Sequence, residues 1–213
     1  MVTVVFDATP DLYLASQSPR RRELLCQIGV NHAVISASIP EQPMVGEQAL
    51  AYVQRLAREK AAAGYARLLE QQLPVAPVLG ADTLGLLDGE ILEKPRDQAH
   101  AQQMLRQLSG RTHQVITAVA LHSGVQQALR VSTTDVTFRD LSDAEISAYW
   151  ETGEPQDKAG SYGIQGKGAV FVKEIRGSYS CVVGLPIEAT LELLQEFNIP
   201  WWTAARVESR VEA

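Results

Sequence analysis

With 213 residues, 46% of them hydrophobic and 21% charged, the chain has the material for one sizeable core. A formal net charge of -6 excludes a protein that coats nucleic acid through bulk electrostatics, so any phosphate binding must come from a local basic cluster. Two distant cysteines, Cys26 and Cys181, without metal-type spacing, read as buried free thiols in a reducing compartment; with no signal-type start and no apolar run of membrane-spanning length, a cytoplasmic location is expected.

Residues 1–10 read as a leader, and structure is expected from Leu12. A short strand over Leu12 to Ala15 leads to Ser18, an N-cap residue, and Pro19, suited to a first helical position. The helix carries Leu24, Leu25 and Ile28 and stops at Gly29. Its first turn holds Arg20, Arg21 and Arg22, at the end where the helix dipole disfavours cations. Either these side chains are solvated, or the cluster meets an anion at the mouth of a strand-to-helix turn, with hydroxyls from Ser16 and Ser18.

A long helix is expected from Glu47 to about Gln72, with Leu50, Val53, Ala57, Ala61, Gly64 and Leu68 on one stripe and Lys60 at its flank. The run Val78 to Leu87 reads as a buried strand turning at Asp88-Gly89 into Glu90-Ile91-Leu92. Asp82 is thus a carboxylate in an apolar strand. It must be hydrogen-bonded, metal-bound or protonated, and Lys60 and Lys94 are candidate partners. Asp97 caps a helix to Leu108, strands follow near Val115 to Leu121 and Leu129 to Phe138, and a capping box at Ser142 and Glu145 opens a helix to Thr152.

Residues 153–168 hold five glycines and few aliphatic side chains, and read as a long loop presenting Asp157, Lys158, Tyr162 and Gln165. Neither a P-loop nor a dinucleotide fingerprint is matched there. Strands are expected around Ala169 to Ile175 and Ser178 to Val183, then a helix from Pro186 to about Phe197. The interleaving favours α/β with a mixed, twisted sheet flanked by helices. The four histidines lack ligand spacing, so a histidine zinc site is not expected. Glu41, in the polar segment Ile39 to Pro43, reads on its own as an exposed acid.

Five stretches in order, Ser16-Gln17-Ser18-Pro19-Arg20-Arg21, Leu56 to Ala61, Gly80-Ala81-Asp82-Thr83, Leu92-Glu93-Lys94-Pro95 and Gly163-Ile164-Gln165-Gly166, resemble the Maf family of nucleotide pyrophosphatases. The resemblance runs from about Leu12 to Phe197, which gives a single domain over residues 11–200 and a tail over 201–213. It implies two lobes around an active-site cleft, a homodimer, and hydrolysis of a nucleoside triphosphate to monophosphate and pyrophosphate with a divalent cation, Mg²⁺ or Mn²⁺. By position it implies Asp82 as proton acceptor, Glu41 and Asp82 as metal ligands, and Ser16, Arg21, Lys60 and Lys94 as phosphate or substrate contacts. Arg20, Thr83 and Gln165 resemble the dTTP/UTP branch rather than the 7-methyl-GTP branch. A Gln amide can both donate to O4 and accept from N3–H of a pyrimidine. A non-catalytic nucleotide or nucleic-acid-binding regulator of cell division is the competing reading; it would keep the arginines but need no buried base.

Overall fold

The computed structural model describes residues 9–202, so the leader and tail lie largely outside the described residues. Seven strands form one mixed sheet: β1 (Leu12–Leu14), β2 (His32–Val34), β3 (Val78–Leu87), β4 (Glu90–Leu92), β5 (Thr112–His122), β6 (Gln127–Phe138) and β7 (Val172–Arg176). Their order is β2-β1-β3-β5-β6-β7, with β4 beside β3. β1 pairs parallel with β2 and β3, whereas the remaining pairs are antiparallel. Asp88 and Gly89, at φ 52° and 87°, make the tight β3-β4 hairpin expected of an Asp-Gly turn.

Helices cover both faces: α1 (Pro19–Gln27), α2 (Ala49–Glu70), α3 (Gln98–Leu108), α4 (Asp143–Trp150), α5 (Tyr179–Val183) and α6 (Ile187–Glu196). On one face Val53, Ala57 and Ala61 of α2 pack with Leu84 and Ile116. On the other, α1 and α6 bury Leu24, Leu25, Leu193 and Leu194 against Leu79, Val119 and Leu121. Each fully buried leucine contributes about 1.5–3 kcal/mol of transfer free energy. Trp201 packs on the edge of this second cluster, and the Trp202 N–H donates to the Ile28 carbonyl at 3.0 Å.

Two of the three caps expected from sequence form: Asp97 accepts from His100 N–H, and Ser142 and Glu145 close a reciprocal capping box. Five expectations need correction. Ser18 occupies the N-cap of α1, but its side chain makes no capping bond. Leu50 is 47% exposed and Leu56 is buried in its place, while Val53, Ala57, Ala61, Gly64 and Leu68 keep the expected burial. Cys181 is buried as expected, but Cys26 lies on the outer face of α1 and is exposed. Residues 179–183 are helix, not strand: Ser178 accepts from Cys181 N–H at one end, and Gly184, at φ 118°, closes the other. So short an apolar run has no periodicity to separate the two states, and the caps decide. The segment Lys167–Phe171 likewise winds as a 3-10 turn before β7.

Candidate active site

One edge of β3 pairs with β5 from Val78 to Leu86. Its other edge is met by β1 only at Val78 and Leu79, and by β4 only from Gly85 to Leu87. Among the described residues, 80–84 have no strand neighbour on that side. The carboxyl end of β1 and the start of α1 lie at this gap, the kind of place where open α/β sheets admit ligands. Side chains from both faces of β3 therefore reach one cavity of about 670 Å³, lined by Asp82 and Thr83 together with Ser16, Arg20, Arg21, Glu41, Lys60, Lys94 and Gln165.

Asp82 points to the α2 side. α2 crosses β3 at Gly80, where a Cβ would collide with Ala57 O and Ala61 N, so this glycine permits backbone contact. That approach brings Lys60 Nζ to 2.7 Å from Asp82 Oδ1 and 2.7 Å from Glu41 Oε1. Of the two partners considered for Asp82, Lys60 makes the ion pair. Burial pushes the Glu41 carboxyl up, but the hydrogen bond and charge of Lys60, helped by Lys94 and Arg21, hold it below the usual carboxylate range.

Thr83 points to the opposite face, toward α1. Arg21 Nε donates to Gly184 O at 2.8 Å, NH1 to Ser16 Oγ at 3.1 Å and NH2 to Thr83 Oγ1 at 3.1 Å. Ser16 Oγ also accepts from Ser18 N–H at 3.2 Å. Burial pushes the Arg21 guanidinium below its ordinary range, and the charge of Asp82 opposes this. Arg20 lines the cavity half-buried, while Arg22 is exposed and outside it.

The glycine-rich segment folds over the cavity through Glu154. Its Oε1 accepts from Tyr149 OH at 2.7 Å and Gly168 N–H at 3.0 Å, and its Oε2 accepts from Lys167 N–H at 2.8 Å. Lys158 Nζ donates to the Glu154 carbonyl at 2.7 Å, and Gly160 N–H to Glu93 O at 3.1 Å. These bonds hold the stretch that carries Gln165. Tyr162, at the inner end, bonds through its hydroxyl to His113 Nε2 at 2.8 Å. Burial pushes His113 down to about 4, so its imidazole is neutral at pH 7.

All nine candidate residues read from the sequence thus face one cavity. Glu154, Lys158, Tyr162 and His113 line it too. Of these, His113 and Glu154 were missed as site residues. For Glu154 a signal was present, an acid just ahead of a segment whose unpaired backbone N–H groups need an acceptor; a single histidine in an apolar strand gave none. Five basic side chains, Arg20, Arg21, Lys60, Lys94 and Lys158, stand against three acidic ones, Glu41, Asp82 and Glu154. A chain that is acidic overall concentrates positive charge in this cavity.

Among the described residues no group of three His, Cys, Asp or Glu side chains could cage a metal ion. The donor chemistry nevertheless fits Mg²⁺ or Mn²⁺. Glu41 and Asp82 already converge on one cation, the Lys60 ammonium, and Mg²⁺ is commonly held by one or two carboxylates with substrate phosphates and water completing its shell.

Residues 11–197 match the family model described as Maf-like protein. A dTTP/UTP pyrophosphatase of Saccharophagus degradans is 57% identical over 196 residues, covering 92% of this chain and 93% of the relative. A dTTP/UTP pyrophosphatase of Escherichia coli (strain K12) and a nucleoside triphosphate pyrophosphatase of Shigella flexneri are each 57% identical over 187 residues, covering 88% of this chain and 93% of each relative. No helix among the described residues is long and apolar enough to cross a membrane. With the family model spanning the whole sheet and every wall of the cavity, this chain belongs to the Maf-like protein family.

Proposed function

We propose that this chain hydrolyses dTTP and UTP to the nucleoside monophosphate and pyrophosphate by attack of water. The observation that carries the reading is the surplus of cations, five against three carboxylates with Asp82 among them, in a cavity large enough for a nucleotide. The names of the relatives supply the nucleotides.

In this reading Asp82 accepts the proton of the attacking water, and Lys60 aims the carboxylate through its 2.7 Å bond. Arg21, Lys60 and Lys94 take up the charge that grows on the phosphoryl oxygens and on the departing pyrophosphate. Arg21 and Lys60 stand on helices and are already held by hydrogen bonds, so little reorganisation of these two accompanies that charge. Ser16 holds Arg21, while Arg20, Thr83 and Gln165 set the choice of nucleotide, the Gln165 amide meeting the base edge. A Mg²⁺ or Mn²⁺ ion, when bound, would be held by Glu41 and Asp82 and would neutralise phosphate charge.

Purified protein incubated with Mg²⁺ and single nucleotides tests this directly. Pyrophosphate is expected from dTTP and UTP. Robust release from 7-methyl-GTP with none from either pyrimidine nucleotide would overturn the branch assignment. The same reading takes the protein as a cytoplasmic homodimer with no nucleic-acid partner; light scattering of the purified chain checks the assembly.

A further inference from the structure

Behind the cavity wall, a line of hydrogen bonds runs from Arg21 to the backbone of α5. Arg21 NH2 donates to Thr83 Oγ1 at 3.1 Å, the Thr83 and Thr117 hydroxyls are 2.9 Å apart, and Thr117 Oγ1 donates to Cys181 O at 2.8 Å. Thr117 sits on β5 opposite Thr83, is fully buried and does not line the cavity.

Proton counting fixes the polarity of this line. A threonine hydroxyl has one proton and two lone pairs, and a carbonyl oxygen can only accept. The Thr117 proton therefore goes to Cys181 O, and Thr117 meets Thr83 as acceptor. The Thr83 proton in turn goes to Thr117. Thr83 is left with lone pairs alone toward Arg21, whose guanidinium has only donors. No other arrangement forms all three bonds. Gly184 O and Ser16 Oγ fix Nε and NH1, so Thr83 completes a three-sided hold on the guanidinium and leaves two of its five N–H groups for a ligand.

We propose that Thr117 is a positioning residue for the arginine that holds phosphate: by taking the Thr83 proton it keeps Thr83 an obligate acceptor and fixes the Arg21 guanidinium. It acts through Thr83 and touches no substrate. The catalytic consequence rests on the reading of Arg21 given under Proposed function; the structural link does not.

Thr117→Val keeps the shape and removes the acceptor, so the Thr83 hydroxyl is free to turn its proton toward the guanidinium. Thr117→Ser keeps every bond. The readout is hydrogen exchange of the Arg21 Nε–H by NMR, assigned with Arg21→Lys. Thr117→Val is expected to speed exchange at least ~10-fold, the equivalent of one hydrogen bond to a charged group, and Thr117→Ser to stay within ~2-fold of the unsubstituted chain. In a Thr83→Val background Thr117→Val should add nothing. Unchanged exchange in Thr117→Val overturns the proposal, as does equal acceleration in the Thr83→Val background, which would mark an effect carried by Cys181 O alone. Should Thr117→Val not fold, Thr117→Cys, a weak acceptor of similar size, carries the same two outcomes. On the same variants kcat/KM for dTTP and UTP is expected to fall ~10-fold in Thr117→Val and to recover in Thr117→Ser. An unsubstituted chain without turnover defeats the functional reading while exchange still decides Thr117; normal turnover with unperturbed exchange in Thr117→Val defeats this proposal alone.

Discussion

Asp82→Asn separates the proposed base from its structural surroundings. The amide Oδ1 can still accept from Lys60 Nζ, which sits 2.7 Å from the present carboxylate oxygen, and Lys60 keeps Glu41 at 2.7 Å. The substitution removes one charge from the pair but also removes the cost of burying that charge. Because Glu41 still compensates the Lys60 ammonium, the cost of about 3–5 kcal/mol for stranding a buried charge is not incurred, and a stability change within about 1 kcal/mol is expected. For a chain of this size that is a shift in Tm of about 2–4 °C. Loss of a general base lowers turnover by about 10²–10⁴-fold. The assay pairs pyrophosphate release from dTTP with thermal unfolding and with nucleotide binding by calorimetry. Turnover above about a tenth of the original rate refutes Asp82 as proton acceptor, since even a weak base contributes about 100-fold. A Tm loss beyond about 10 °C would refute the argument that Glu41 suffices to hold Lys60.

Lys60→Met strands the buried Asp82 carboxylate without its partner and should cost about 3 kcal/mol or more in urea unfolding, well beyond Asp82→Asn. Gly80→Ala drives a Cβ into the α2 backbone at Ala57 and Ala61; a loss of about 3 kcal/mol, with turnover falling as Lys60 moves off Asp82, is expected from melting and activity measured together. His113, pushed down to about 4 by burial, is neutral in the folded chain where the unfolded chain already binds a proton. Stability is therefore full above pH 6.5 and lost as pH falls toward 4, by about 2–3 kcal/mol at pH 4.5; urea titrations across that range should show the slope and His113→Gln should remove most of it.

Much of the fold was legible because local rules and burial agree in it. The Val78 to Leu87 strand, its Asp-Gly hairpin, and the capped helices at Asp97 and Ser142 each carry a start or stop residue with a physical reason. The Ser178 to Val183 stretch carried a cap too, but its four apolar residues, Tyr179, Cys181, Val182 and Val183, pointed equally to strand. In the site, Asp82 announced itself, since an acid inside an apolar strand demands a partner. Glu41 did not: its role depends on a loop folding back over a helix 19 residues later in the chain, and only the resemblance flagged it. Arg21 was read as a phosphate contact, yet its partners Gly184 and Thr83 lie 163 and 62 residues away, beyond anything spacing can report. Thr117 is one hydroxyl in a strand otherwise apolar at its centre, and sequence gives no hint that it faces another hydroxyl.

The three arginines at the head of α1 pose a problem that the structure resolves residue by residue. The first turn contains no acid, and Ser18 offers no side-chain cap, so the positive end of the helix is left without a local counter-charge. Arg22 is exposed, where water screens it. Arg21 leaves the helix axis for three acceptors on other elements and for the field of Asp82, which stabilises its charge despite burial. Arg20 remains at the cavity wall, with the helix N-terminus beside it. Supplying the missing acid within the chain, for instance by Glu at position 20 or 22, would ease the dipole conflict and raise helix stability by about 0.3–1 kcal/mol. At position 20 it would also place a carboxylate on the wall of the cavity that the proposed function assigns to the nucleotide. The sequence forgoes that gain, and under the proposed function the reason is direct: the counter-charge for this helix would arrive with the nucleotide's phosphates.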